Sequence, residues 1–236
     1  MKQALVAMGI IGLLASVAAA EYIDLPTKWS QMPDLTGDGE RSDHTTDWVW
    51  ADDFLCSDPD PIVAVRWWGH YWYDTTVRPD GHTFFDISFH FSEWAHPHSR
   101  AVAGPIALYE QVVVQEVFTG AYSRLGNPVY RYDAYLPEAF PQELFSALSP
   151  NPGELFIDIC KPSDEDWAWQ HADGRYGPDF AAYGYDGHWG EFTSSDWSGH
   201  PGWDLAFELM TVPEPATMCL LGAGLVGLVV RRRRGK

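Results

Sequence analysis

Positive charge is scarce in this chain of 236 residues. Fifteen Lys and Arg stand against 33 Asp and Glu, a formal net charge of −18. Such a surface repels phosphate backbones and anionic lipid, which excludes nucleic acid as a partner. Cysteine is nearly absent: of three, Cys219 lies in an apolar C-terminal stretch, leaving Cys56 and Cys160. One disulfide or two buried thiols fit that pair equally. No sustained 3.6-residue apolar period appears between the ends, so a helical bundle is excluded. The apolar run Ala216–Val230 has 15 residues, below the ~17–25 usual for a helix that crosses a bilayer, so the expectation is a short transmembrane helix in a thin or tilted passage, or a transient anchor. Nucleophile motifs are missing as well. There is no Gly-x-Ser-x-Gly elbow, and Ser194, Ser195, Asp196 and His200 fall in a Gly/Trp-rich loop.

What is present begins at the two ends. Lys2 forms a small basic region, Ala4–Val17 an apolar core, and Ala18-Ala19-Ala20 a small-residue cleavage site before Glu21. That is the pattern of a cleavable signal helix over 1–20, read by the Sec translocon, and it places the protein in an oxidising compartment. The other end reads Val212-Pro213-Glu214-Pro215-Ala216-Thr217, then apolar residues to Val230, then Arg231-Arg232-Arg233-Arg234. Two prolines keep the backbone extended before a hydrophobic helix, and the arginines stop translocation. This order resembles the PEP-CTERM sorting signal of exported bacterial proteins. The resemblance implies a transient stay in the inner membrane. Exosortase, a membrane protease-transpeptidase, then removes the tail at 212–236 and passes the protein to the cell surface or extracellular matrix. Without Lys2, the four arginines, Lys236 and Glu214, the body 21–211 keeps 9 basic and 32 acidic residues, a net charge near −23.

The body reads as strands. Phe85, Ile87, Phe89 and Phe91 alternate with Asp86, Ser88 and His90. Tyr130, Tyr132, Ala134 and Leu136 alternate with Arg131, Asp133 and Tyr135. Leu155, Ile157 and Ile159 face away from Phe156, Asp158 and Cys160, and Leu205, Phe207 and Leu209 close the series. Ile62–Tyr73 is dense in aromatic and β-branched residues, and Asp47–Cys56 and Leu108–Phe118 are further strand candidates. Tyr22–Thr46 reads as loop, and one helical turn fits Gln142–Leu148. Turns such as Asp58-Pro59-Asp60-Pro61 separate the runs. The expectation is one all-β domain, an antiparallel sandwich of jelly-roll type. Lys28-Trp29-Ser30-Gln31, Ala51-Asp52-Asp53-Phe54-Leu55-Cys56, Trp67-Trp68-Gly69 and Leu155-Phe156-Ile157-Asp158-Ile159 occur in that order. In this the body resembles bacterial surface proteins that carry the same tail and a β-sandwich domain of unknown function. That resemblance implies a fold and no activity.

Candidate chemistry is spread thinly. Asp34 to Glu40 starts like a calcium loop, but Thr36 stands third and Thr45 twelfth, which fits a surface turn better. No cofactor is expected; loop carboxylates at Asp34, Asp38, Asp58, Asp60, Asp164, Glu165 and Asp166 would suit calcium, with ligands unspecified. His90, Glu93, His96 and His98 are close in sequence without a metal-binding helix. Asp52 with Asp53, or Glu110 with Glu116, are carboxylate pairs of the kind a glycosidase needs, but 32 acidic residues in the body supply such pairs by chance. Sugar binding has the most material, with 12 Trp and 11 Tyr. Trp67, Trp68, Trp72, Trp167 and Trp169 are the candidate platform, because a flat ring stacks on the apolar face of a sugar. The expected function is a non-enzymatic surface or matrix protein that grips exopolysaccharide. The alternatives are a carbohydrate-active enzyme of the glycoside-hydrolase kind and a calcium-dependent adhesion module. Replacing Pro213, Glu214 and Pro215 by alanine should leave the protein uncleaved in the membrane; maturation to the same mass and surface location would overturn the sorting assignment.

Overall fold

A computed structural model describes residues 25–43, 48–93, 100–101, 105–143, 145, 154–163, 165–174, 176, 182–185 and 204–212. The expected signal helix, the hydrophobic tail helix, and Trp189, Trp197 and Trp203 lie outside them. Twelve strands follow in order: β1 Thr27–Gln31, β2 Gly39–Arg41, β3 Trp48–Leu55, β4 Ile62–Tyr71, β5 Gly81–Glu93, β6 Arg100–Ala101, β7 Ala107–Tyr122, β8 Pro128–Phe140, β9 Glu154–Cys160, β10 Trp167–Gln170, β11 Ala182–Tyr185 and β12 Phe207–Met210. The segment read as loop before Thr46 holds β1 and β2. Both are short and polar, and each is held as a strand by a longer neighbour. Gln142, Glu143 and Phe145 are helical, as expected for a single turn.

The fold is all-β and antiparallel, a sandwich close to a closed barrel. Its main path runs β1-β12-β4-β8-β7-β5-β9-β3-β11. β4 is the pivot. β8 covers one of its edges; along the other, β12 pairs at Ala64–Trp67 and β10 at Gly69–Tyr71. β2 then pairs with β10. The alternating side chains of β4, β5, β7, β8 and β9 meet in one core of Val65, Trp67, Phe85, Ile87, Phe89, Val112, Val114, Tyr132, Leu155, Ile157 and Ile159. This is the period-2 pattern of the sequence with its apolar phase turned inward. Phe89 stacks on Phe140 at 4.1 Å, and Trp67 stacks on Tyr132 at 5.6 Å. One extra residue, Gln111 with φ of +50°, interrupts the β5–β7 register, and Asp86 Oδ1 accepts its amide at 2.6 Å.

Side chains close the roll. Ser42 N donates to Trp167 O at 3.0 Å, its hydroxyl donates to Ile159 O at 2.7 Å, and Lys161 N donates to its carbonyl at 3.0 Å. Trp50 N reaches the same hydroxyl at 3.2 Å, and the parallel bridge Asp43↔Lys161 lies beside it. Ser42 thereby joins β10, β9 and β3. Further along, Asp52 Oδ2 accepts Leu205 N at 2.5 Å, and Gln31 Nε2 donates to Asp53 O at 3.3 Å. Gly69 lets β10 approach: a Cβ there would sit 2.5 Å from both Ala168 O and the Trp167 ring. Cys56 and Cys160 are buried, unbridged thiols. Cys56 follows the Leu55↔Glu154 rung, while Cys160 lies two residues beyond Asp158 at the far end of the same ladder. That separation is roughly 20 Å along a strand, against the ~4.4–6.8 Å between Cα atoms of a disulfide.

Two consequences can be measured. Gly69→Ala overpacks β10, and a cost of about 1–3 kcal/mol would lower Tm by roughly 2–12 °C in a domain of this size; an unchanged melting temperature would show that β10 does not pack there. Asp52 is fully buried, and its pKa is raised well above the ordinary carboxylate value, first by burial and then by Asp204 and Asp53. A raised folded-state pKa means a stability contribution fully present below about pH 4 and lost as pH rises through the folded value. Asp52→Asn keeps an acceptor for Leu205 N and removes the charge. Its melting temperature relative to the parent should therefore climb with pH, and a pH-independent difference would contradict the assignment.

Candidate functional site

The five tryptophans expected to form a platform do not form one. Trp67, Trp167 and Trp169 are fully buried and Trp68 is 6% exposed. Trp167 meets Phe85 edge-on at 4.8 Å, and Trp169 Nε1 donates to Ala206 O at 2.9 Å while its ring packs on Phe207. Trp68 points to the outer face of β4, where Val129, Ala206 and Leu35 cover it. β4 is thus sheathed on both sides, so neither face of its aromatic run reaches solvent. Trp72 is half-buried and stacks on His70 at 5.9 Å. Burial lowers the pKa of His70, and Nδ1 meets Gln170 Oε1 at 3.0 Å.

One end of the interior is polar. The Tyr71 hydroxyl donates to Glu116 Oε2 at 2.6 Å, and Lys161 Nζ donates to Thr83 Oγ1 at 2.5 Å. Arg78 lies 3.4 Å above the Tyr71 ring and pairs with Asp74 at 3.0 Å and Glu165 at 2.9 Å. Burial raises the Tyr71 pKa, reinforced by Glu116, and lowers that of Lys161 against the pull of Glu165 and Glu116. These groups satisfy one another, and the cluster reads as the polar cap of the core.

Ser88, His90 and Asp158 also meet, on the outer face of β5 and β9. His90 Nε2 lies 2.7 Å from Ser88 Oγ and 2.8 Å from Asp158 Oδ2, and Ser88 Oγ donates to the same carboxylate oxygen. A catalytic triad places serine and carboxylate on different ring nitrogens. Here both converge on Nε2, so the carboxylate cannot orient the ring toward the serine, and all three residues are buried. Of the histidine cluster only His90 has a described side chain. Among the described residues no group of three or more His, Cys, Asp or Glu could hold a metal ion. Asp34 Oδ1 accepts Thr36 N at 3.0 Å and Thr36 Oγ1 at 2.9 Å, Asp38 pairs with Arg124, and Asp58 accepts Asp60 N at 3.0 Å. Asp52 and Asp53 alternate between the two faces of β3. Glu116 points inward while Glu110 is exposed. Neither carboxylate pair flanks a common cleft.

Another candidate lies elsewhere on the sheet, where a largely covered polar row, with Asp133 only 4% exposed, runs beside an exposed strip. One row of register partners crosses six strands: Ser30↔Glu208↔Arg66↔Asp133↔Gln115↔His82. Arg66 Nε donates to Asp133 Oδ1 at 2.5 Å and Nη1 to Glu208 Oε2 at 3.0 Å; Arg131 Nε donates to Asp133 Oδ2 at 2.8 Å. Two residues along from Asp133 and Gln115, in one direction, stand Tyr135 and Val113, and Val113 is paired with Phe84. Tyr135, Val113 and Phe84 are 46%, 56% and 52% exposed. Aromatic and apolar groups therefore flank a row of hydrogen-bonding side chains on the outer face of β8, β7 and β5. The sequence carried the signal in the phase of Arg131, Asp133 and Tyr135 against their buried neighbours, but tryptophan count drew attention to β4.

The PEP-CTERM protein-sorting motif is matched over residues 211–234, which include Val212–Thr217 and Arg231–Arg234. Of these, Thr211 and Val212 are described; Pro213 to Thr217 and the arginines lie outside the described residues. The motif marks the chain as an exported protein sorted by exosortase, processed at the membrane and then delivered to the surface. No curated protein matches the chain. A domain of unknown function, DUF7901, is matched over residues 27–210, from the first residue of β1 to the last of β12. The chain therefore belongs to the DUF7901 family, as a body domain carrying a C-terminal PEP-CTERM sorting motif.

Proposed function

We propose that the mature body is a non-enzymatic component of the cell surface or extracellular matrix that binds exopolysaccharide. The segment 1–20 enters the Sec translocon and is cleaved before Glu21. The apolar run Ala216–Val230 and Arg231–Arg234 hold the chain in the inner membrane until exosortase acts on Val212–Thr217. The observation that carries the binding reading is the exposed face of β8, β7 and β5. Tyr135 and Phe84 are exposed there beside a row of amide, imidazole, guanidinium and carboxylate groups. Sugars bind through this combination, their C–H faces on rings and their hydroxyls on planar polar groups. The non-enzymatic reading is supported by how the ionisable clusters are spent. Ser88, His90 and Asp158 are buried and share one nitrogen, and Tyr71, Glu116, Lys161 and Arg78 are paired among themselves. Mature protein applied to a polysaccharide array, with the producing cell's own matrix polymers included, should retain at least one polymer and release no reducing ends from it. Failure to retain any polymer would overturn the binding reading, and reducing-end release would overturn the non-enzymatic one.

A further inference from the structure

The row between β12 and β8 contains two guanidinium groups, Arg66 and Arg131, and two carboxylates, Asp133 and Glu208, bonded to one another. It is electroneutral in a body whose net charge is near −23. Its cations are committed to partners within the row, with side-chain exposures of 14% for Arg66 and 15% for Arg131. Glu110, five residues along β7 from Gln115, is exposed. An anionic polymer would meet the charge of the whole body here with no uncommitted guanidinium to bind. Groups that can bond hydroxyls remain: the half-buried Gln115 amide, the exposed His82 ring and the edges of the paired charges. Parallel to them, Tyr135 on β8, Val113 on β7 and Phe84 on β5 make an apolar strip. With strands ~4.8 Å apart, the strip is roughly 10 Å long across the sheet. That length seats two linked sugar rings, with an aromatic ring at each end.

We propose that this face is the docking site for an uncharged polysaccharide, with Tyr135 and Phe84 as stacking groups and Gln115 and His82 as hydroxyl partners. The assignment rests on the exopolysaccharide reading above and adds the site and the charge class of the ligand. The polymer lies across the strands, along the strip. Acidic polysaccharides are excluded by the body's charge and by the internal pairing of Arg66 and Arg131.

The test is affinity electrophoresis of the mature protein in gels cast with dextran, a galactomannan, alginate, and the neutral and acidic fractions of the producing cell's matrix polysaccharide. The parent should be retarded in at least one neutral gel and in neither acidic one. Tyr135→Ser with Phe84→Ser replaces two exposed side chains, where folding cost is small, and should weaken that retardation at least tenfold in Kd. Tyr73→Ser, at a tyrosine 74% exposed in the turn after β4, should change nothing. Matching melting temperatures for all three would show that folding is intact. If the parent is retarded and the double variant equally so, the face is wrong while the binding reading stands. Retardation by none of the polymers overturns both. Retardation by alginate or the acidic fraction alone overturns the charge argument. A double variant that loses a dimer on size exclusion but keeps its retardation makes the face a contact between two copies and overturns the proposal.

Discussion

Ser42 carries hydrogen bonds that no ladder between these strands supplies. Its amide, hydroxyl and carbonyl reach Trp167, Ile159, Trp50 and Lys161, so a residue between strands joins β10, β9 and β3. A twisted sheet of this many strands curls toward closure, but it leaves two unlike margins with different backbone phases. Backbone pairing cannot join them along their length. Side chains of fixed reach do so instead: Ser42 at one end, and Asp52 with Gln31 further along. A net loss of ~0.5–1.5 kcal/mol per bond understates their role, because each also satisfies a buried amide or carbonyl that would otherwise be stranded.

Closure decides where the aromatic side chains go. Once β10 and β12 share one edge of β4, the inward rings Trp67, Tyr71, Phe85, Tyr132 and Trp167 have only one another to pack against, and Trp68 is covered from outside. Gly69 is part of the same requirement, since any side chain there would displace Trp167. Polar groups trapped by closure must pair internally, which accounts for the Tyr71–Glu116 bond, the Lys161–Thr83 bond and the backbone amides of Leu205 and Asp53 that Asp52 accepts. A cluster that resembles chemistry in sequence is, in this fold, the cost of sealing polar side chains inside a sheet.

The strands with one apolar phase were legible because alternation in Phe85–Phe91, Tyr130–Leu136 and Leu155–Ile159 states both the element and its inner face. β1 and β2 were not, since Thr27–Gln31 and Gly39–Arg41 are extended only because β12 and β10 pair with them. Fold class could be read from turn spacing. Strand order could not, because the partners of β4 on its second edge come from the last third of the chain. The disulfide question turned on strand register: seven residues of a β9 strand separate the two thiols, and no composition reports that. The platform was misplaced for a related reason. The run Ile62–Tyr73 was read as dense in aromatic residues, and its rings within β4, Trp67, Trp68 and Tyr71, turned out to be covered on both faces, leaving only Trp72 and Tyr73 in the following turn to reach solvent. Exposed rings on the outer sheet face stand instead at Tyr135 and Phe84, while Tyr73, Tyr122 and Tyr176 are exposed elsewhere among the described residues.

The ends and the body of the chain carry opposite electrostatic instructions, and their order in time reconciles them. The matched sorting motif includes four arginines, Arg231–Arg234, and clustered basic residues are favoured beside a negative cytoplasmic leaflet. The body they are attached to, with 32 acidic and 9 basic residues, is repelled by the same leaflet. Removal of the tail takes away most of the clustered positive charge, so the released body has no electrostatic reason to return to the membrane. It carries instead an electroneutral strip on an acidic surface. An acidic surface disfavours contact with anionic lipid and phosphate backbones, while the paired charges of Arg66, Arg131, Asp133 and Glu208 cancel locally. Sorting thus rests on the last residues of the sequence, in a form that a linear reading recovers directly, whereas the pairing of Arg66 with Asp133 and Glu208 depends on strands that only the fold brings together.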